Sequence, residues 1–241
     1  MPKSLIYSRS GAIAKIVMDD GKLNIMSIAM LAALHSAFNA AEKDGAVVVL
    51  TGRGKAFSAG FDLGVFSHGT ASDIHTMLKS GAELALRILS FPRPVVAACN
   101  GHAFPMGAFL LMSADIRIAA EGAYGIGMNE VAIAITVPRF AVEVARQRLT
   151  PAYFNRAVTT GQLFAPAEAA TAGFVDWTVP AAELEKAADD AAERLSKIDA
   201  AAHAASKLRA RAPAIAAIRA AIDQDITLAY AEESVALRSA A

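Results

Sequence analysis

The stretch from Lys55 to Leu63, KAFSAGFDL, decides how the fold of this chain is interpreted. An apolar, β-branched run from Val47 to Leu50 precedes it and predicts a buried strand, which we expect residues 51–54 to break. The small residues Ser58 to Gly60 then allow backbone N–H groups to come close to a ligand. Such a donor, aimed at an acyl oxygen, stabilises negative charge there. An ordinary strand-to-helix turn is the alternative, and this stretch alone does not decide between them.

Two later stretches have the same character. Pro94 to Cys99 predicts another buried strand, which leads into Asn100–Gly107 and a small apolar helix from Ala108 to Ala114. Tyr124 to Glu130 is a glycine-spaced loop that ends in one carboxylate. Two turns that offer backbone N–H groups, together with one acid, suit chemistry on a thioester. The amides hold the charge that develops on the thioester oxygen, and the acid moves a proton.

In this order, the three segments resemble the crotonase (enoyl-CoA hydratase/isomerase) family, from about Ile6 to the C-terminal helices. The resemblance implies an α/β fold. It places a crotonase-like ββα spiral core, with the CoA thioester site, at residues 1–180 and a C-terminal α-helical trimerisation region at 181–241. It also implies an acyl-CoA thioester as substrate, and a homotrimer or a hexamer built as a dimer of trimers.

The resemblance assigns the chemistry to three residues. The amides of Phe61 and Met106 are the expected oxyanion-hole donors, although the family has glycine at the second position. Met106 keeps its donor if its backbone angles suit a non-glycine residue. Glu130 is the expected acid, and the apolar run from Val131 to Ile135 should desolvate it and raise its pKa.

The first of the two glutamates of family hydratases falls at Phe109, which cannot move a proton. Family Δ3,Δ2-enoyl-CoA isomerases likewise have an apolar residue there. We therefore expect an isomerase that uses one glutamate. The alternatives are a hydratase, in which Asp62 or Glu121 would have to help, and a non-catalytic acyl-CoA-binding protein.

The resemblance also implies further substrate or CoA contacts. We expect them at Lys22, Ser58, Ala59, Gly60, Phe61, Asp62, Gly107 and Phe109. Lys22 is equally compatible with a solvated loop lysine. Phe61, Phe66 and Met77 are candidates to narrow the acyl pocket.

No metal or separate cofactor is expected, because coenzyme A is part of the substrate. His68 and His75 lack a partner acid at metal-ligand spacing, so we expect both on the surface. His102 lies within the second segment, but that segment does not need a base. Asp115 is expected to have a structural, hydrogen-bonding role.

Composition narrows the classes of partner. The 241 residues carry no net charge, which argues against nucleic acid or an anionic membrane as the main partner. Hydrophobic residues make up 55% of the chain, enough for a large core. The single cysteine, Cys99, fits a reducing compartment. We see no signal peptide and no apolar run of about 18 residues, so a cytoplasmic protein is expected.

Periodicity and capping residues predict the remaining elements. The expected elements are a hairpin (5–9 and 12–18), helices at 27–43, 73–90, 138–149 and 151–160, a loop at 66–70 and a last strand at 174–179. Two apolar stripes follow in the alanine-rich end of the chain. They are Leu184, Ala188, Ala191, Leu195, Ile198 and Ile215, Ile218, Ile222, Ile226, Ala229. These stripes pack either on the core of the same chain or in a trimer interface.

Overall fold

A computed structural model describes residues 4–232, in which two β-sheets are surrounded by helices. The strands are β1 (Leu5–Ser10), β2 (Ile13–Met18), β3 (Val47–Gly52), β4 (Ala56–Ser58), β5 (Val95–Cys99), β6 (His102–Ala103), β7 (Ile116–Ala120), β8 (Ile126–Gly127), β9 (Leu163–Phe164) and β10 (Trp177–Val179). One sheet has the order β1-β2-β3-β5-β7-β10, and the other has the order β4-β6-β8-β9. The α/β prediction is confirmed.

The chain winds as a spiral, since three successive segments each give one strand to each sheet. These strand pairs are β3 with β4, β5 with β6, and β7 with β8. Within each sheet, the strands of successive turns pair in parallel. The ends of β3 and β5 therefore lie side by side, and so do the loops that follow them.

The helices are α1 (Ile28–Lys43), α2 (Leu63–His68), α3 (Ala71–Ser90), α4 (Pro105–Ser113), α5 (Arg139–Arg146), α6 (Pro151–Thr160), α7 (Pro166–Ala172), α8 (Leu184–Ser196) and α9 (Ala200–Asp225). Capping side chains and a proline define where several of these helices begin. Ser27 caps α1, and Thr70 with Asp73 forms a capping box at α3. Pro105 opens α4, where the missing N–H of a proline costs no hydrogen bond.

Both faces of the larger sheet are buried. One face meets α1, α3 and α4, and the opposite face is covered by α8. Val47 and Val49 of β3 point towards Leu184 and Ala188 of α8, while Val48 and Leu50 point into the main core. This explains why β3 is a continuous apolar run rather than an alternating one.

The two apolar stripes meet the core of the same chain over most of their length. Leu184, Ala188 and Ala191 are buried, Leu195 is half-buried and Ile198 is exposed. In the second stripe Ile218, Ile222 and Ile226 are buried in the main core, whereas Ala229 is exposed. The predicted trimer interface stays a prediction. None of the helices described is long and apolar enough to cross a membrane.

Four expectations about local structure were wrong. Strand β3 continues through Thr51 and Gly52, because β2 and β5 supply partners for both residues. The expected loop at 66–70 is partly helix α2, whose weak helix formers Gly64 and Ser67 hid it. Pro138 caps α5 rather than occupying its first helical position, and the last strand begins only at Trp177. Apart from these four differences, helix α9 is continuous through Pro213.

Candidate active site

A cavity of about 230 Å³ opens where the loops after β4 and β6 meet the loop after β8. It is lined by Ala59, Gly60, Phe61, Leu63, Phe66, Leu78, Phe104, Pro105, Phe109, Asn129, Glu130, Ile133, Ile135, Pro138 and Tyr230. Apolar side chains form most of the wall. Glu130 is the one carboxylate among these lining residues.

The first loop, which follows β4, is held in place by backbone hydrogen bonds to the segment before α1. Gly60 has φ +92°, a conformation that residues with side chains rarely adopt. The carbonyl of Gly60 accepts from the Met26 N–H at 2.8 Å, and the Ala59 N–H donates to Leu23 O at 2.9 Å. These bonds occupy the Ala59 N–H and the Gly60 carbonyl, which precede Phe61. Among the described residues, the Phe61 N–H itself has no backbone acceptor.

Ser58 joins the first loop to its neighbours from behind the cavity wall. Its buried hydroxyl donates to Asn24 O at 2.7 Å and accepts from the Gly60 N–H at 3.1 Å. Its carbonyl accepts from the Phe104 N–H at 3.0 Å. A Cβ on Gly107 would lie 2.8 Å from that same carbonyl, so glycine is required there for the close approach.

The second loop, which follows β6, places Met106 at the start of α4. Met106 follows Pro105 as the second helical residue, so its N–H has no partner within the helix. A Cβ on Gly60 would lie 3.8 Å from Met106 N, which shows how closely the two loops approach each other. Helical backbone angles suit any L-residue, and the Met106 side chain is buried in the main core. Methionine at this position therefore leaves the amide where glycine would put it.

Glu130 is held just before a 3₁₀ turn at Val131–Ile133. Its carbonyl accepts from the N–H groups of Ile133 at 3.0 Å and Ile135 at 2.9 Å, which folds the apolar run back beside its own side chain. Glu130 is only 5% exposed, and its Oε2 has no hydrogen-bond partner among the described residues. Burial raises the pKa of the carboxyl from its usual 4.5 to about 7. The group can therefore both take and give a proton near neutral pH.

The position of the expected second acid is fully apolar. Phe109 is buried, lines the cavity, and packs edge-on against Phe140 with ring centroids 5.6 Å apart. The two acids considered as substitutes lie elsewhere. Asp62 caps α2 by accepting from the Gly64 N–H at 2.9 Å, and Glu121 is exposed outside the cavity.

The expected substrate contacts divide into three groups. Ala59, Gly60, Phe61 and Phe109 line the cavity. Ser58 and Gly107 lie behind its wall and join the two loops. Lys22 and Asp62 lie outside the lining: Lys22 is exposed in the loop before α1, where its N–H donates to Asp20 Oδ1 at 2.8 Å.

Of the acyl-pocket candidates, Phe61 and Phe66 line the cavity, while Met77 is buried away from it. His102 also lies outside the lining, between the rings of Phe104 and Tyr124. Residues 4–232 contain no group of three or more His, Cys, Asp or Glu placed to hold a metal ion.

Sequence analysis missed several residues of the wall. Leu78, Phe104, Pro138 and Tyr230 come from four separate regions of the chain. Phe104 precedes the expected donor Met106 and could have been found from that proximity. Leu78 and Tyr230 lie on helical stretches whose apolar residues look like ordinary core.

Comparison with known proteins agrees with this architecture. A family model described as enoyl-CoA hydratase/isomerase matches residues 8–238. Carnitinyl-CoA dehydratase of Salmonella typhi is 34% identical over 198 residues, 81% of this chain and 75% of the relative. An enoyl-CoA isomerase of Mycobacterium tuberculosis has a TM-score of 0.88 at 44% identity, covering 92% of this chain and 97% of that one. An enoyl-CoA hydratase of Mycobacterium ulcerans has a TM-score of 0.89 at 45% identity, covering 91% and 96%. The last two proteins are equally similar to this chain but are named for different activities.

Proposed function

The chain belongs to the enoyl-CoA hydratase/isomerase family, and we propose that it is an isomerase that converts a 3-enoyl-CoA thioester into the 2-enoyl-CoA. One observation carries this proposal. Glu130 is the one carboxylate on the described cavity wall, and an isomerase needs only one because the same group takes and returns the proton.

The reaction proceeds in two proton transfers. The Glu130 carboxylate takes a proton from C2 of the substrate, and the electron pair of that C–H bond moves to the thioester oxygen as an enolate. The Phe61 and Met106 amides hold the negative oxygen, each contributing on the order of 3 kcal/mol. The Glu130 carboxylic acid then gives its proton to C4, the double bond moves to C2–C3, and the carboxylate is restored.

The surroundings of Glu130 support this use of one group twice. A carboxyl with its pKa near 7 is a stronger base than an exposed glutamate, yet it still gives the proton back readily. Hydration would require a second group to hold a water, and Phe109 occupies that position with a phenyl ring.

The test is a pair of assays on purified protein. One follows conversion of a 3-enoyl-CoA to the 2-enoyl isomer, and the other follows hydration of a 2-enoyl-CoA. Glu130→Gln should lower the isomerase kcat by a factor of about 10²–10⁴. Glu121→Gln, an exposed control outside the cavity, should leave it unchanged.

Two results would overturn the proposal. Hydration faster than isomerisation would mean that the protein is a hydratase, with the water held by a group other than Phe109. Silence in both assays, with acyl-CoA still bound by wild type and Glu130→Gln alike, would indicate a non-catalytic acyl-CoA-binding protein.

A further inference from the structure

The strand that leads to Glu130 packs closely against a segment much later in the chain. Gly127 of β8 pairs with Leu163 of β9 in antiparallel register. A Cβ on Gly127 would lie 2.8 Å from Gln162 O and 3.1 Å from Leu163 Cδ2. The gap to this carbonyl is too small for a side chain, so glycine allows the close approach three residues before the acid.

The same later segment meets the chain again just after the acid. Gly161 is the C-cap of α6 and has φ +65°, a conformation that favours glycine. A Cβ on Gly161 would lie 2.6 Å from Ala132 N and 3.0 Å from Ala132 Cβ, within the 3₁₀ turn that follows Glu130. Residues 161–164 therefore contact the chain on both sides of the catalytic carboxyl.

Arg156 of α6 holds this later segment in place. Its Nη2 donates to Gln162 Oε1 at 2.9 Å and pairs with Glu168 of α7 at 3.2 Å. Its guanidinium carbon also lies 5.5 Å from the ring centroid of the buried Phe164. These contacts tie residues 162–164 to two helices, and none of them involves Glu130.

The turn after Glu130 has solvent on its outer side. Val131 and Ile133 of this turn are 41% and 47% exposed. Oε2 of Glu130 has no hydrogen-bond partner among the described residues. The position of the carboxyl therefore depends on where the backbone of the turn lies, and Gly161 sets how closely that backbone approaches α6.

From these contacts we propose that residues 161–164 position the catalytic carboxyl, with Gly161 as the positioning residue that lets the turn at 131–133 approach α6. The inference rests on the proposed function only in that Glu130 is the group that moves the proton. A side chain at position 161 would push the turn towards solvent. The Glu130 carboxyl would then move away from the reacting carbon, and water would reach it.

Steady-state kinetics of Gly161→Ala with a 3-enoyl-CoA test the proposal. The value of kcat should fall by about 10²-fold, because a displacement of about 1 Å between reacting groups can cost that much. The value of KM should stay close to that of wild type. The added methyl group meets Ala132, which lies outside the lining of the cavity, so the wall that holds the acyl chain is not displaced directly.

The pKa of Glu130 is a second readout, which a general loss of stability would not change. Its carboxyl resonance can be followed by ¹³C NMR and assigned with Glu130→Gln. Burial raises this pKa to about 7, so admission of water to a displaced carboxyl should lower it towards 4.5 in Gly161→Ala. The acidic limb of the kcat/KM profile should move to lower pH with it, since the carboxylate is the form that takes the proton.

Two other glycine variants separate positioning from backbone strain. Gly173→Ala at the C-cap of α7 combines the same two constraints, since Gly173 has φ +101° and its Cβ would lie 2.5 Å from Arg148 O. Gly45→Ala imposes strain alone, because Gly45 has φ +60° and a Cβ there would meet nothing within 4 Å. Both variants should be less stable than wild type, yet keep its kcat and its Glu130 pKa.

Leu163→Ala tests the other contact without changing a glycine. The Leu163 side chain is 38% exposed and lies over Gly125 and Gly127, so its truncation should loosen β8 while the protein still folds. We expect a smaller fall in kcat than for Gly161→Ala, of about tenfold.

The proposal is overturned if folded Gly161→Ala keeps the wild-type kcat and Glu130 pKa, or if Gly173→Ala loses as much kcat. Should Gly161→Ala not fold, a wild-type kcat in Leu163→Ala overturns it instead. The NMR readout needs no turnover, so it separates this proposal from the proposed function. A lowered pKa in Gly161→Ala, with no isomerisation by wild type, would refute only the isomerase. Isomerisation that the variants leave unchanged would refute only the positioning role.

Discussion

Glu130 shows how the environment of one residue can set its chemistry. Its side chain lies beside Ile133 and Ile135, and its backbone carbonyl is held by the turn that begins at the same residue. Desolvation raises its pKa because burial disfavours the charged form, and within residues 4–232 no cation offsets the effect. The burial that suits Glu130 to proton transfer therefore also lowers the stability of the folded state at high pH.

The stability of the protein should depend on pH through this group. Because the folded pKa of Glu130 is raised, its contribution to stability is complete below pH 4.5 and is lost as the pH rises through about 7. Glu130→Gln does not titrate. The free energy of unfolding of this variant, relative to wild type, should therefore rise by about 2.5 kcal/mol between pH 5 and pH 8.

Urea unfolding of both proteins at the two pH values measures this difference. Glu121→Gln is the control, since it removes an exposed carboxylate outside the cavity. A difference for Glu130→Gln that depends on pH no more than the difference for this control would mean that the Glu130 carboxyl is solvated, and the argument for a proton shuttle near neutral pH would fail.

At the scale of secondary structure, helix α3 shapes the cavity through a glycine in its interior. Gly81 is buried, although glycine costs about 1 kcal/mol relative to alanine within a helix. A Cβ at this position would lie 2.5 Å from Cε1 of the Phe61 ring and 3.2 Å from Sδ of Met106. Glycine at this position therefore lowers the intrinsic stability of the helix, but it allows the side chains of Phe61 and Met106 to pack against α3.

Gly81→Ala should weaken acyl-CoA binding by about tenfold, because the added methyl group pushes the Phe61 ring towards the cavity. It should also destabilise the protein by about 1 kcal/mol, since overpacking outweighs the gain in helix propensity. Thr76→Ala on the exposed face of the same helix should be neutral or stabilising and leave binding unchanged. Calorimetry and denaturant unfolding test both effects, and a stabilised Gly81→Ala with normal affinity would contradict the packing argument.

At the scale of the whole molecule, buried charges hold the C-terminal helix on the core. Asp115, just before β7, accepts from the Val95 N–H at 2.8 Å and pairs with Lys207 at 2.7 Å and Arg211 at 2.9 Å, both on α9. Arg211 also donates to Leu89 O at the end of α3, at 2.8 Å. The network thus joins α9, whose continuation carries Tyr230, to the sheet and to the helix beneath the cavity.

Asp115→Asn should destabilise the protein by about 3–5 kcal/mol, because it leaves the buried Lys207 and the partly buried Arg211 without their carboxylate. Burial already lowers the pKa of Lys207 to about 8, so removal of Asp115 should lower it further. Adding Lys207→Met to Asp115→Asn should restore part of the loss, since it removes one of the uncompensated charges.

Asp190→Asn is the matched control, because it breaks an exposed ion pair with Lys186 on α8 and should have no measurable effect. Denaturant unfolding of all four proteins gives the comparison. A loss no larger for Asp115→Asn than for Asp190→Asn would mean that α9 is held by its apolar contacts alone.

The sequence by itself determined the local chemistry of this protein. The strand before each loop, the desolvated Glu130 and the structural role of Asp115 follow from short-range signals, whereas the amide positions at Phe61 and Met106 are what the resemblance to the crotonase family implies. Apolar runs, small residues after strands and a proline that opens a helix act within a few residues of each other, so they can be recognised without knowledge of the packing.

Only the tertiary structure decided what surrounds that chemistry. It leaves Lys22 and Asp62 outside the cavity, makes a helix of the expected loop at 66–70, and brings Tyr230 beside Leu78 across most of the chain. It also explains why Gly81 is glycine. The physical reason is that lining and burial depend on contacts between residues far apart in sequence. Leu78 and Tyr230 have the same apolar character as residues of the core, and only the packing of α3, α5 and α9 turns them towards the cavity.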